Sequence, residues 1–221
     1  MTRARLLAAL LWLSSVQFFI AQAIVQSAWS TPFSLTSNFI SDLGNTACAP
    51  YPAGSQHYVC SPWHFWMNAS FVLFGLTIPL GAAFARGAFP NGLLRTVTLV
   101  LLALAGPGYV LVGLYPENVD ITPHKIGAGL VFISGNLGLA LLGVEILQAS
   151  RRRILAISLI KLGVVGLIAT VLLVSGHFLG TGVGGMERIA AYPLPIGLMM
   201  VGIFLLRDSG PAHARNPRRL G

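Results

Sequence analysis

Apolar residues fall along the chain in six long runs separated by mostly short polar stretches. They extend from about Leu6 to Gln26, Trp66 to Ala85, Leu93 to Leu114, His124 to Leu147, Ile154 to Gly176 and Ile189 to Leu206. Each approaches the ~20 residues that a helix needs to cross about 30 Å of hydrocarbon. The runs lack the period-two alternation of a membrane barrel, and a lone segment in a bilayer satisfies its own backbone only as a helix. The predicted fold is therefore all-α, a polytopic integral membrane bundle of six transmembrane helices. Residues 1–207 form its single domain, a long loop spans about 27–65, and 208–221 form a basic tail. The first run also resembles a signal peptide, with Arg3 and Arg5 ahead of it and Ala21-Gln22-Ala23 as a small-residue cleavage site. Its apolar stretch continues through Ile24 and Val25, which favours a retained helix; cleavage would leave five spans.

Composition supports this pattern: 55% of residues are hydrophobic and 9% charged, with a mean hydropathy of +0.76. A soluble domain carries about 25% charged residues, and a disordered chain needs low hydrophobicity, so both classes are excluded. The net charge of +8 reads first as a topology signal. Arg3, Arg5, Arg86, Arg95, Arg151, Arg152, Arg153, Lys161, Arg207, Arg215, Arg218 and Arg219 fall on one side of the predicted spans. Only Lys125 and Arg188 fall on the other. The positive-inside rule then predicts a multi-pass protein of the cell membrane with both termini cytoplasmic. The basic tail reads as a topology and anionic-lipid signal, so membrane lipids are expected partners and nucleic acid is not.

The segment from Ser27 to Phe65 contains no Lys or Arg and holds both cysteines. Facing outward, Cys48 and Cys60 are expected to form a disulfide; the alternative is two unpaired thiols. Gly106-Pro107-Gly108 interrupts the third run, either as a kink supported by neighbouring helices or as a broken helix lining a site. Gly127, Gly135, Gly138, Gly143, Gly163 and Gly166 allow helices to approach closely. The glycine run from Gly180 to Gly185 reads as a flexible outward turn.

The ionisable residues collect at the outer face. Asp42, Glu117, Asp120 and Glu187 lie there with His57, His64, His124 and His177, leaving Glu145, Asp208 and His213 inside. Ser61-Pro62 and Thr122-Pro123 each read as an N-cap followed by proline at the first helical position. This puts His64 and His124 in first helical turns, with His177 at the same level. A helix N-terminus disfavours imidazolium, and a neutral imidazole is what a metal ligand or a general base requires. His64, His124 and His177 are therefore the candidate ligands of a divalent metal, although no i, i+4 pair supports the set. No nucleophile elbow, HExxH pair or phosphate loop is present. Asn68-Ala69-Ser70 fits a glycosylation triplet but lies within a span.

Several short motifs resemble a known family. They are Ser41-Asp42-Leu43-Gly44 after the first span, Asn68 early in the second, Gly113-Leu114-Tyr115-Pro116-Glu117 closing the third, His124 opening the fourth, and Glu187-Arg188 before the sixth. In this order they resemble the bacterial and archaeal membrane proteins grouped as domain of unknown function 998, over about Leu6 to Leu206. The resemblance implies a six-helix membrane protein with its signature polar residues at one face, and implies no firm activity. His57, His64 and the cysteines have no place in that pattern.

Three readings of function follow. The first is an outward-facing site that binds or processes a lipid headgroup or small polar molecule. In it Asp42, Glu117 and His124 do the chemistry, while Asn68, Glu187 and Arg188 bind the ligand. Arg188 is expected to pair with Glu117 or Asp42. The second is a small transporter or channel using Gln17, Gln22, Glu145 and Lys161. The third is a non-catalytic assembly subunit of a membrane complex, built on the small-residue faces.

Overall fold

The computed structural model describes residues 1–54, 57–149 and 152–207. The predicted basic tail, with Asp208, His213, Arg215, Arg218 and Arg219, lies outside the described residues, as does Arg151. Six helices are long and apolar enough to cross a membrane: α1 (Arg3–Ser27), α2 (His64–Ala88), α3 (Leu93–Leu114), α4 (Ile121–Ala149), α5 (Arg153–Val174) and α6 (Gly182–Arg207). Each helix packs on its neighbour in sequence, and α6 returns to α1, so the bundle closes as a ring. Its outer surface is apolar, with Leu10, Leu76, Ile154 and Val171 exposed, as a hydrocarbon solvent requires.

Small residues set the helix spacing. At the α3–α4 crossing, a Cβ added to Gly127 would lie 2.5 Å from the Gly108 carbonyl oxygen. At the α2–α3 crossing, one added to Gly106 would lie 2.6 Å from the Gly75 carbonyl oxygen. The Gly106-Pro107-Gly108 run is thus not a break. Helix α3 continues through Pro107, and its glycines are where two neighbours touch its backbone. The centre of the bundle is aromatic, with Phe18 against Phe71, Phe74, Tyr109 and Tyr192.

Three helices deviate locally. In α1 the hydroxyl of Ser15 donates to the Trp12 carbonyl at 2.6 Å and the Pro195 carbonyl at 3.2 Å, at an irregular turn over Ser14 and Ser15. Helix α4 widens to a π-turn over Leu130–Gly135. Asn136, which follows it, donates through its amide to the Phe132 carbonyl at 2.8 Å and the Ala190 carbonyl of α6 at 2.9 Å. Helix α6 turns at Tyr192, just before Pro193, which has no N–H to donate.

Helix α6 begins at Gly182, seven residues before the start read from hydropathy, and the glycine run is not a flexible turn. Gly184 donates its N–H to the Thr36 carbonyl at 2.9 Å. The backbone of residues 36–38 rests where side chains at Gly182 and Gly184 would be. Glycine permits that contact, and the contact gives the segment a surface to be helical against.

Candidate functional site

The loop from Ala28 to Trp63 folds over one end of the bundle. A short antiparallel ladder, β1 (Ala49–Pro50) and β2 (Tyr58–Val59), is bridged by the Cys48–Cys60 disulfide. The Ser41–Gly44 segment forms one 3-10 turn buried beneath it. Two side chains pin this turn. Asn68 of α2 donates Nδ2 to the Gly44 carbonyl at 2.9 Å, and Ser61 donates its hydroxyl to the Leu43 carbonyl at 2.7 Å. Asn68 Nδ2 therefore positions the turn, while its buried Oδ1 meets no donor. Ser61 is occupied here and does not cap α2.

Asp42, on that turn, is 0% exposed. Its Oδ2 accepts from Phe39 N–H at 2.9 Å and Asn38 Nδ2 at 3.2 Å, and lies 2.8 Å from His57 Nε2. Glu117, between α3 and α4, is also buried; its Oε2 accepts from the Ser41 hydroxyl at 3.1 Å. The remaining oxygens, Asp42 Oδ1 and Glu117 Oε1, meet no donor, and the two buried carboxyls are close enough to influence each other. Two neighbouring buried carboxyls resist being ionised together. Burial, then the charge of Asp42, pushes the Glu117 carboxyl up to about 9, which keeps it protonated at neutral pH.

The rim of the pair is built by two residues that no motif had singled out. His57 is partly exposed and shields Asp42 from outside. Tyr51 donates its hydroxyl to the Glu117 carbonyl at 2.7 Å. Burial, with Glu117 and Asp42 nearby, pushes the phenol up to about 12, which keeps it a donor.

Below this layer, Ser41, His124, Glu187 and Tyr109 share a cavity of about 30 Å³ whose other walls are apolar. That volume admits a water or two. Glu187 accepts through Oε2 from the Ile40 N–H. His124 Nδ1 lies 2.9 Å from the Tyr115 carbonyl. A carbonyl only accepts, so Nδ1 carries hydrogen, and in the neutral ring Nε2 is a free base. Helix α4 is capped by Asp120, whose side chain accepts from Thr122 N–H at 3.0 Å, not by Thr122 as its sequence suggests. The acidic cap takes the role, and His124 still falls in the first turn.

Arg188 does not pair with Asp42 or Glu117. Its Nη1 donates to the carbonyls of Asn38 (2.7 Å), Gly184 (2.9 Å) and Leu35 (3.1 Å), and the guanidinium lies 5.6 Å from the Phe33 ring centre. Adjacent helical residues point in different directions. Glu187 thus faces the cavity while Arg188 faces the loop and holds it down.

The three candidate metal histidines are not brought together. His64 Nδ1 is 3.0 Å from the Ser61 carbonyl at its own helix start, and His177 is exposed beside Ser175. Among the described residues, no three His, Cys, Asp or Glu side chains are grouped to hold a metal ion. The intramembrane polar residues also have local roles: Gln17 donates to the Ser70 carbonyl at 3.1 Å, Gln22 accepts from Tyr192 at 2.8 Å, and Lys161 faces outward.

The chain belongs to the DUF998 family, described as proteins of unknown function, whose model matches residues 7–204. No curated protein and no solved structure matches it.

Proposed function

We propose that this DUF998 protein binds or processes a lipid headgroup or small polar ligand at the extracytoplasmic end of its bundle. The observation that carries the reading is the buried pair of carboxyls, Asp42 and Glu117, each with one oxygen that meets no donor. A buried carboxyl pair is costly to hold in a membrane protein, and such groups mark functional sites by default. The pair sets a protonated donor, Glu117, beside Asp42, which contacts the partly exposed His57. His124 Nε2 supplies a base at the water-sized space below, and Glu187 supplies an acceptor there. The orientation follows from the basic residues, which put both termini in the cytoplasm and this end outside. Reporter fusions after Gly54 and Asn118 should read external and one after Gly87 internal; a reversed fusion would break the orientation. Gln17 and Gln22 are satisfied within the bundle, which favours a site over a continuous polar path.

The test is lipid and product analysis on the purified full-length protein. It would be incubated with vesicles of mixed phosphatidylethanolamine and phosphatidylglycerol, and bound lipid and released headgroups measured by mass spectrometry. Asp42→Asn and His124→Gln should lower retention or release by at least about tenfold, a loss of one charge-assisted contact, while circular dichroism stays native. Unchanged retention and release in both folded variants overturns the proposal.

A further inference from the structure

The opposite end of the bundle holds a second feature, which does not depend on the function proposed above. Helices α2 and α3 separate there around a cavity of about 320 Å³, within the size range of ligand pockets. Arg86, Arg95 and Thr96 line its polar side, and Pro79, Leu99 and Val100 its apolar side. Arg95 is only 8% exposed. Its Nη1 donates to the Arg86 carbonyl at 3.3 Å and to Asn91 Oδ1, while its buried Nε has no hydrogen-bond partner. Glu145 lies close enough to influence Arg95, but among the described residues no carboxylate is within ion-pairing distance of either arginine. One carboxylate at longer range leaves two guanidinium groups incompletely matched.

We propose that this groove binds an anionic phospholipid, with Arg86 and Arg95 on the phosphate and an acyl chain along Pro79, Leu99 and Val100. A phosphate offers acceptors in the geometry that guanidinium forks recognise, and can satisfy both Arg95 Nε and the exposed Arg86. The source is a lipid rather than free phosphate because the rest of the groove is apolar. Val100, which lines it and is 52% exposed, faces the same apolar surroundings as the bundle's outer surface. The arginines sit at helix ends, at the depth of headgroups, and snorkelling there keeps each charge near the phosphate layer.

Native mass spectrometry of the full-length protein in detergent tests this, using phosphatidylglycerol and phosphatidylcholine of identical chains, and inorganic phosphate alone as a competitor. The wild type should retain phosphatidylglycerol over phosphatidylcholine. Arg86→Gln, at an exposed position, should lower that preference by about fivefold, the effect of one basic residue on an anionic headgroup. Val100→Phe, which fills the apolar arm, should lower retention of phosphatidylglycerol with Arg86 intact. Arg153→Gln, an exposed basic residue on α5 at the same end, should leave the preference unchanged. Equal retention of the two lipids, an equal loss in Arg153→Gln, or no loss in either groove variant overturns the proposal. Displacement of the lipid by inorganic phosphate would make the site one for a free anion and overturn the lipid assignment.

Discussion

Glu117→Gln isolates the proton held at Glu117. In the folded protein burial and Asp42 hold the Glu117 carboxyl up to about 9, against an ordinary value of 4.5. The folded state therefore binds one proton more than the unfolded chain between these limits. The stability this contributes is complete below 4.5 and is lost as pH rises towards 9, where it levels off. One proton corresponds to a little over 1 kcal/mol per pH unit, so the contribution falls by about 3 kcal/mol between about pH 6 and pH 8. Glutamine keeps the contacts, because its amide N–H₂ can donate to Asp42 while its oxygen accepts from Ser41, but it has no proton to lose. Unfolding by dodecyl sulfate in mixed micelles, followed through the four tryptophans, should show wild-type stability declining relative to the variant by that amount. Parallel pH profiles over those two units would mean that Glu117 holds no extra proton in the folded state.

Three further outcomes are expected. Arg188→Gln removes three charge-assisted hydrogen bonds to the carbonyls of Leu35, Asn38 and Gly184. It should cost about 3 kcal/mol and speed proteolysis within residues 28–40; a protease-resistant loop would show that something else holds it. Gly127→Ala should destabilise by about 1–3 kcal/mol because its Cβ meets the α3 backbone. Gly129→Ala, with nothing within 4 Å of the added carbon, should stabilise by about 0.5–1 kcal/mol, and equal signs in a thermal melt would refute the crossing geometry. Opening the Cys48–Cys60 loop, 12 residues in separation, with paired serines should cost about 3 kcal/mol; labelling of two thiols in the untreated native protein would show the bridge is absent.

The sequence by itself determined the elements. Hydropathy is local, and a bilayer leaves a long apolar run no option but a helix, so each of the six runs lies within or nearly within a span, although α6 starts seven residues ahead of its run. It also determined which residues could not be large: Gly127, Gly143 and Gly163 sit at crossings because a helix can approach another's backbone only over a missing side chain. The resemblance carried by Ser41-Asp42-Leu43-Gly44, Glu117, His124 and Glu187-Arg188 named most of the polar cluster. Pairing within the cluster belonged to the tertiary structure alone. Ser41 and Glu117 meet across 76 positions, and nothing periodic in the loop between α1 and α2 sets that register. Closing such a loop costs an entropy that grows only slowly with its length, so spacing carries little information about which contacts form. Helix rotation decided the rest. Glu187 and Arg188 are neighbours in sequence, yet the turn of α6 sends one to the cavity with His124 and the other to the backbone of the covering loop. His57 reached Asp42 only because the loop folds back over its own 3-10 turn.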